Sequence, residues 1–330
     1  MKEFGQKGNK KRCNKNIKTF TVSSDFNDFT ERIIVSSNKL ENNLSQKNNS
    51  FFLLSEALKL HSKGKILEAK KYYQSFLDQG FSDPRVFSNY GAICQQTGDT
   101  DKAMALYQQS ISLFPKSHQA YSNLGALLKN LGKVEESVVY TRKAIELEPT
   151  FADAYINHGN TLKQLGKIKE AELIMRKAIQ INPNSEISNT NLGSILIDQG
   201  KMKEAEVFLH KAIAIKHDYA LAHYNLGIVL IDLGKLKEAE LSTRKATEIE
   251  PNFVEAYSNL GSILKDLGQL DEALVSFRKA IELKNNHSTA ISEMGYVLLK
   301  QGKYKDGLQL VKAGNGAVIF DQKNSKMYII

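Results

Sequence analysis

The sequence predicts an all-α fold, a right-handed solenoid of about eight helix-turn-helix repeats, and three observations carry that prediction. The stretch from Ala120 to Pro149, AYSNLGALLKNLGKVEESVVYTRKAIELEP, returns with small changes from Ala154, Ala222 and Ala256. Gly64, Gly98, Gly132, Gly166, Gly200, Gly234, Gly268 and Gly302 follow one another at one constant step, without a gap. A second series with the same step runs through Gly91, Gly125, Gly159, Gly193, Gly227, Gly261 and Gly295, with Ala57 at its head. A fixed period of this length is the signature of stacked supersecondary units. Counted from position 50, eight such units end at position 321.

The parts of one unit say what it is. Tyr121, Leu124, Leu128 and Leu131 form a helical stripe. Gly132 supplies the left-handed conformation that ends a helix. A second helix is expected over about Val134 to Leu147, stopped by Pro149 because the residue before a proline resists helical angles. Small residues at Gly125, Ser137 and Ala144 mark close approach of helices. Neither helix is apolar enough to stand alone, so each pair is expected to bury its face against its neighbours.

The pattern of an aromatic, Leu-Gly three and four residues on, then alanine, a large residue, alanine and proline resembles the tetratricopeptide repeat, over residues 50 to about 321. The segment LGKLKEAELSTRKA, Leu233 to Ala246, resembles the tandem repeats of cyanobacterial proteins and the repeat region of O-linked N-acetylglucosamine transferases. The resemblance implies a scaffold that binds extended peptide segments in a concave groove. Its alternative is a non-catalytic module that presents substrates to a glycosyltransferase or other modifying enzyme.

Outside the repeats, residues 1–49 are rich in Asn, Ser and Lys, lack the period and are expected to be a disordered arm. The net charge of the chain is +9, and seven basic side chains against Glu3 alone fall within residues 1–18. That arm reads either as a solubilising tail or as a contact for nucleic acid or an anionic membrane surface. The apolar patch Phe20, Val22, Phe26, Phe29, Ile33, Ile34, Val35 reads as a contact to the first repeat or as a short partner motif. No run of about 18 apolar residues occurs, which argues against a transmembrane segment. Cys13 and Cys94 suggest no disulfide framework, and a cytoplasmic location is expected. The first unit departs from the later ones at Glu56 and Phe76, and the last at Gly307 and Gly314, as terminal repeats do. Residues 316–321 and the tail 322–330, with AVIF and MYII around DQKNSK, read as two short strands capping the last pair.

No catalytic constellation is found, and no cofactor or metal is expected. The seven histidines occupy seven different phases of the repeat, and no spacing among them matches a zinc site. His158 stands where neighbouring units carry leucine and reads as a core histidine. The Gly-Lys pairs at Gly132-Lys133 and Gly166-Lys167 lack the phosphate-loop frame. Glu170, Glu204 and Glu238 open second helices, where they complement the helix dipole. Arg142-Lys143, Arg176-Lys177, Arg244-Lys245 and Arg278-Lys279 read as a solvated outer face, with Glu172 and Glu240 four residues before their arginines. Ending nine residues after the last repeat, the chain is expected to hold no catalytic domain.

Candidate binding residues come from one polar phase. Asn89, Asn123, Asn157, Asn191, Asn225 and Asn259 each stand two residues before the glycine of the first helix. An amide offers a donor and an acceptor and so matches a peptide backbone without reading its side chains. The resemblance places these asparagines along the groove; the other reading has them bridge neighbouring helices. Lys129, Lys163 and Lys265 lie a turn or so further on, with Ile197, Ile228 and Ile231 between the basic ends. This suits an extended peptide with apolar anchors and acidic flanks. The Lys and Arg beside the asparagine that mark carboxylate-clamp repeats are absent, so a chaperone-tail ligand is not implied.

Overall fold

Glycine sets where the first helix of each pair stops. Gly64, Gly98, Gly132, Gly166, Gly200, Gly234, Gly268 and Gly302 all take positive φ, between 71° and 83°. At Gly132 the amide of Lys133 donates to Leu128 O at 2.9 Å and that of Gly132 to Lys129 O at 3.1 Å. These are the two bonds of a Schellman motif, which satisfies the last carbonyls of the helix. In this computed structural model the described residues are 45–315, 318–321 and 326–329.

Among the described residues the chain forms eight helix pairs, in two compact units split between Ser82 and Asp83. The first unit holds α1 (45–62) and α2 (Ile66–Asp78). Leu53, Ala57, Ala69, Tyr73 and Phe76 are its buried apolar residues. The two oddities of this repeat have local causes. Glu56 is half-buried and pairs with Lys59 at 2.8 Å, while Phe76 packs against Phe81 with ring centroids 5.4 Å apart.

The arm expected over 1–49 is corrected at its inner end, since residues 45–49 belong to α1. Ser50 Oγ donates to Lys47 O at 3.0 Å and Asn49 Nδ2 to Gln79 Oε1 at 2.5 Å, which ties this turn to the end of α2. The rest of that arm, with Cys13 and the patch from Phe20 to Val35, lies outside the described residues.

The second unit holds α3 (Pro84–Gln96), α4 (Thr100–Leu113), α5 (His118–Asn130), α6 (Val134–Leu147), α7 (Ala152–Gln164), α8 (Ile168–Ile181) and α9 (Glu186–Asp198). It continues through α10 (Met202–Ile215), α11 (Ala220–Asp232), α12 (Leu236–Ile249), α13 (Val254–Asp266), α14 (Leu270–Leu283), α15 (Ser288–Lys300) and α16 (Tyr304–Asn315). First helices begin somewhat earlier than the apolar stripe indicates, α5 at His118 rather than Tyr121. Three of these starts carry a side-chain cap: Asp83, Ser185 and His287 accept from Arg85 N, Ser188 N and Ala290 N, satisfying amides that a helix start leaves open. Two strands follow, β1 (Val318–Asp321) and β2 (Lys326–Ile329), antiparallel with Val318 opposite Ile329. What they cover falls on side chains outside the described residues.

Within the second unit each helix packs on its pair partner and on the next pair, and first helices also pack on the first helices one repeat away. No comparable packing joins second helices among the described residues, so the first helices line the inner side of the stack. The pair spacing rests on a small residue facing a large one sixteen positions later. A Cβ placed on Gly193 would stand 2.7 Å from Leu209 Cγ, and one on Gly261 2.7 Å from Phe277 Cδ1. Gly91 meets Tyr107 in the same way. At Gly159 the facing atom is the flexible end of Met175, at 3.0 Å. In the last pair Gly314 lets α16 lie on the backbone of Ser292, where a Cβ would be 2.6 Å from the amide nitrogen.

The mostly apolar core holds a polar cluster around His158. His158 is buried, as its leucine phase indicates, and its Nδ1 pairs with Thr141 Oγ1 at 2.9 Å. Ser137 and Thr161 hydroxyls meet at 2.9 Å beside it. Burial, helped by the charge of Arg142, pushes His158 down to about 4. Cys94, at the phase that Leu128 and Leu162 hold in the following repeats, is buried.

This packing makes two differences measurable. Gly193→Ala should lower stability by about 1–3 kcal/mol, because Leu209 must leave its rotamer, and Gly159→Ala by less, because the Met175 methyl can move; thermal unfolding of both variants tests the order. His158 holds a folded-state value below its unfolded one, so its contribution is complete above pH ~6.5 and fades as pH falls toward 4. That loss should reach up to about 3 kcal/mol and be absent in His158→Leu, which urea titrations at pH 7 and pH 4.5 would show.

Candidate functional site

The inner side of the second unit is built from first helices, and the six asparagines lie on these helices: Asn89 on α3, Asn123 on α5, Asn157 on α7, Asn191 on α9, Asn225 on α11 and Asn259 on α13. Five are half-buried, and Asn225 is buried. From Asn123 onward, each has a counterpart at one fixed offset on the first helix of the preceding repeat. For Asn157 the facing residue is Ser122, and Nδ2 donates to its Oγ at 2.9 Å. This amide is a bridge between α5 and α7.

The bridge is not repeated at every step. Asn191 has Ile156 in that place, which offers no acceptor. Thr190, the counterpart for Asn225, keeps a buried hydroxyl without a hydrogen-bond partner, as does Ser88, the counterpart for Asn123. Asn259 has Tyr224 there, and its Nδ2 is buried and without a partner. A buried donor left open costs about 1–3 kcal/mol relative to one that is paired.

Asn259 opens onto a pocket of about 230 Å³ formed by Tyr224, Glu255, Ser258, Ser262, His287 and Thr289. Three successive repeats contribute to it, through α11, α13 and the start of α15. The Tyr224 ring packs on Phe253 with centroids 4.8 Å apart, and burial raises the pKa of its hydroxyl. His287 uses Nδ1 to accept from Ala290 N at 3.1 Å and so caps α15. The lining residues other than Asn259 do not share its phase, and a search along one phase misses them. The signal lies in the shared offset from Tyr224 to Glu255 and from Ser258 to Thr289, which sets a position of one first helix beside an earlier position of the next.

The three lysines differ from one another. Lys163 Nζ donates to Ser194 Oγ at 2.6 Å and pairs with Asp198 at 3.1 Å. Lys265 pairs with Glu293 at 2.5 Å. Both are neutralised by the next first helix, so the expected basic ends of the groove are reduced to Lys129. This lysine has no ion-pair partner among the described residues, and burial lowers its pKa. Ile197 and Ile231 are half-buried and rest against the core, leaving only part of each as an apolar anchor.

On the other side of the unit, Arg176 reaches both Glu172 at 2.7 Å and Glu204 at 2.5 Å, and Arg244 reaches Glu240 at 2.8 Å and Glu272 at 2.5 Å. The i,i+4 halves of these pairs are legible in the sequence; the halves that cross to the next repeat are not. Glu172, also held by Lys201 at 2.9 Å, stays ionised well below the carboxylate range, down to about 2. Among the described residues no cluster of His, Cys, Asp or Glu is arranged to hold a metal ion, and no helix is long and apolar enough to cross a membrane.

Models described as tetratricopeptide repeat match residues 84–117, 106–138, 152–185, 196–264 and 254–287, together more than half of the chain. No curated protein sequence matches it. Among solved structures, a chain of the APC/C hetero-tetramer Cut9-Hcn1 is similar at 17% identity and TM-score 0.67, over 79% of this chain and 52% of that one. A tetratricopeptide repeat protein from Parabacteroides merdae ATCC 43184 is similar at 17% identity and TM-score 0.57, over 76% and 99%. Pseudomonas aeruginosa pilF follows at 19% identity and TM-score 0.54, over 58% and 88%. At these identities the likeness is one of fold. The chain spans about half the length of the Cut9-Hcn1 chain that it matches.

The geometry separates the asparagines by role. Asn157→Ala should cost about 1 kcal/mol in thermal unfolding, since it breaks the bond to Ser122, whereas Asn259→Ala should leave stability unchanged or slightly raised.

Proposed function

Because the chain belongs to the tetratricopeptide repeat family, whose stacked repeats form extended concave binding surfaces, we propose that it is a protein-interaction scaffold that holds an extended peptide segment along its first helices. The observation that carries this reading is the buried Asn259 amide, left without a partner beside the pocket of about 230 Å³ between α11, α13 and α15. A peptide carbonyl supplies the acceptor that the fold withholds. Asn191, whose counterpart one repeat back is Ile156 instead of a hydroxyl, offers a half-buried amide donor two repeats away. Lys129 adds one cation near the far end of the same side, so the ligand carries at most a local acidic group there. Lys163 and Lys265 are already paired and serve to tie repeats together. The hairpin of β1 and β2 is read as the cover for the α15–α16 pair.

Peptides selected by the full chain from a random display library test this reading. Their affinity, measured by fluorescence anisotropy, should fall about tenfold in Asn259→Ala, the loss of one hydrogen bond to a buried donor. Failure to select any peptide, or peptides that bind the variant equally well, would remove the groove from the account.

A further inference from the structure

The outward face of the second helices carries a pattern that neither the core nor the inner side uses. Val139, Leu173, Val207, Leu241 and Val275 stand one per repeat on α6, α8, α10, α12 and α14, and they are 66%, 71%, 51%, 70% and 64% exposed. Three residues earlier each helix has a glutamate, from Glu136 to Glu272, and four residues later a lysine, from Lys143 to Lys279. Offsets of three and four put all three on one helix face. Five helices side by side therefore present an acidic row, an aliphatic row and a basic row.

The aliphatic row is more than an echo of repetition. The very next position runs Tyr140, Ile174, Phe208, Ser242, Ser276, having drifted across polarity between repeats, while the exposed position alternates only between valine and leucine. The helices are also tied edge to edge: Arg176 to Glu204 joins α8 to α10, and Arg244 to Glu272 joins α12 to α14, both at 2.5 Å. Lys143, Lys245 and Lys279 each hold a glutamate three residues on, at 3.0–3.1 Å. Such exposed pairs are weak, and an ammonium keeps further donors free.

We propose that this face is the interface of a two-fold symmetric dimer, its occupant a second copy of this chain. A two-fold axis running along the stripe lays each repeat over its own counterpart, aliphatic row on aliphatic row. It also places the acidic row of one copy over the basic row of the other, which is the self-complementarity an isologous contact requires. The face is large enough to host one: each of these helices is about 21 Å long and about 10 Å wide, so five offer at most roughly 1,000 Å² per partner, against about 800 Å² in a standard interface. A partner of one charge would match only one of the two outer rows.

Sedimentation velocity on the full chain should show a dimer at about 100 μM, dissociating on dilution with micromolar affinity. Leu173→Glu, Val207→Glu and Leu241→Glu combined should give a monomer with unchanged circular dichroism, because these side chains are already in water. Glu170→Lys with Glu238→Lys, and Lys177→Glu with Lys245→Glu, should each be monomeric alone and recover the dimer mass when mixed. A wild type that is monomeric at about 100 μM, a dimer that survives the triple variant, or a mixture that stays monomeric would each overturn the proposal.

Discussion

The distance between the two helices of a pair is the constraint on which the rest depends, and it is set by a missing side chain. Where the first helix has glycine, the second helix can place Tyr107, Leu209 or Phe277 against its backbone. That approach fixes how far the turn must travel, and a short turn closed by a left-handed glycine suffices. The pair then leaves one apolar flank, which only the next pair can cover. Stacking is thus a consequence of close pairing, and a repeat that loosened its glycine contact would misplace both neighbours.

Once the pairs are stacked, side chains nearly one repeat apart in sequence come within hydrogen-bond reach, and the polar chemistry of the protein is written at those offsets. Asn157 to Ser122, Lys163 to Ser194, Arg176 to Glu204 and Lys265 to Glu293 are all of this kind. They differ in what they leave over. Asn157, with the Ser122 hydroxyl one repeat back, closes a bond and becomes part of the frame; Asn259, with Tyr224 in that place, keeps a buried donor for something else. The function assigned to a ladder position therefore depends on a residue in another repeat.

This is also why the fold was more legible than the site. Glycine at a constant step, proline after the second helix and leucine in stripes are single-phase signals, and each names its structural role alone. His158 and Cys94 could be placed in the core from their phase, and α6 from its flanking Gly132 and Pro149. Lys163 and Lys265 could not be placed so, since their charge is cancelled by Asp198 and Glu293, which lie at a different phase and on another helix. The helix at 45–49 escaped for a related reason: its polar, asparagine-rich composition reads as a tail, and it is held by Gln79, at the far end of the next helix.

The two sides of the stack then divide along a physical line. On the inner side first helices touch one another, so a polar group there is partly dehydrated and each unpaired donor is costly; its surplus is hydrogen bonding, which suits a backbone. On the outer side, among the described residues, the second helices lack such packing and are joined by side-chain pairs such as Arg176 with Glu204 and with the Phe208 ring, so Val139 through Val275 remain in water and contribute little to folding. Their surplus is apolar area, about 25 cal/mol for each Å² removed from water, which suits a flat contact rather than a threaded one. A ligand on one side leaves the other free, so a paired scaffold would carry two inner surfaces facing away from each other. Bivalency of that kind raises the effective concentration of a second segment once a first is bound, without any new contact in either groove.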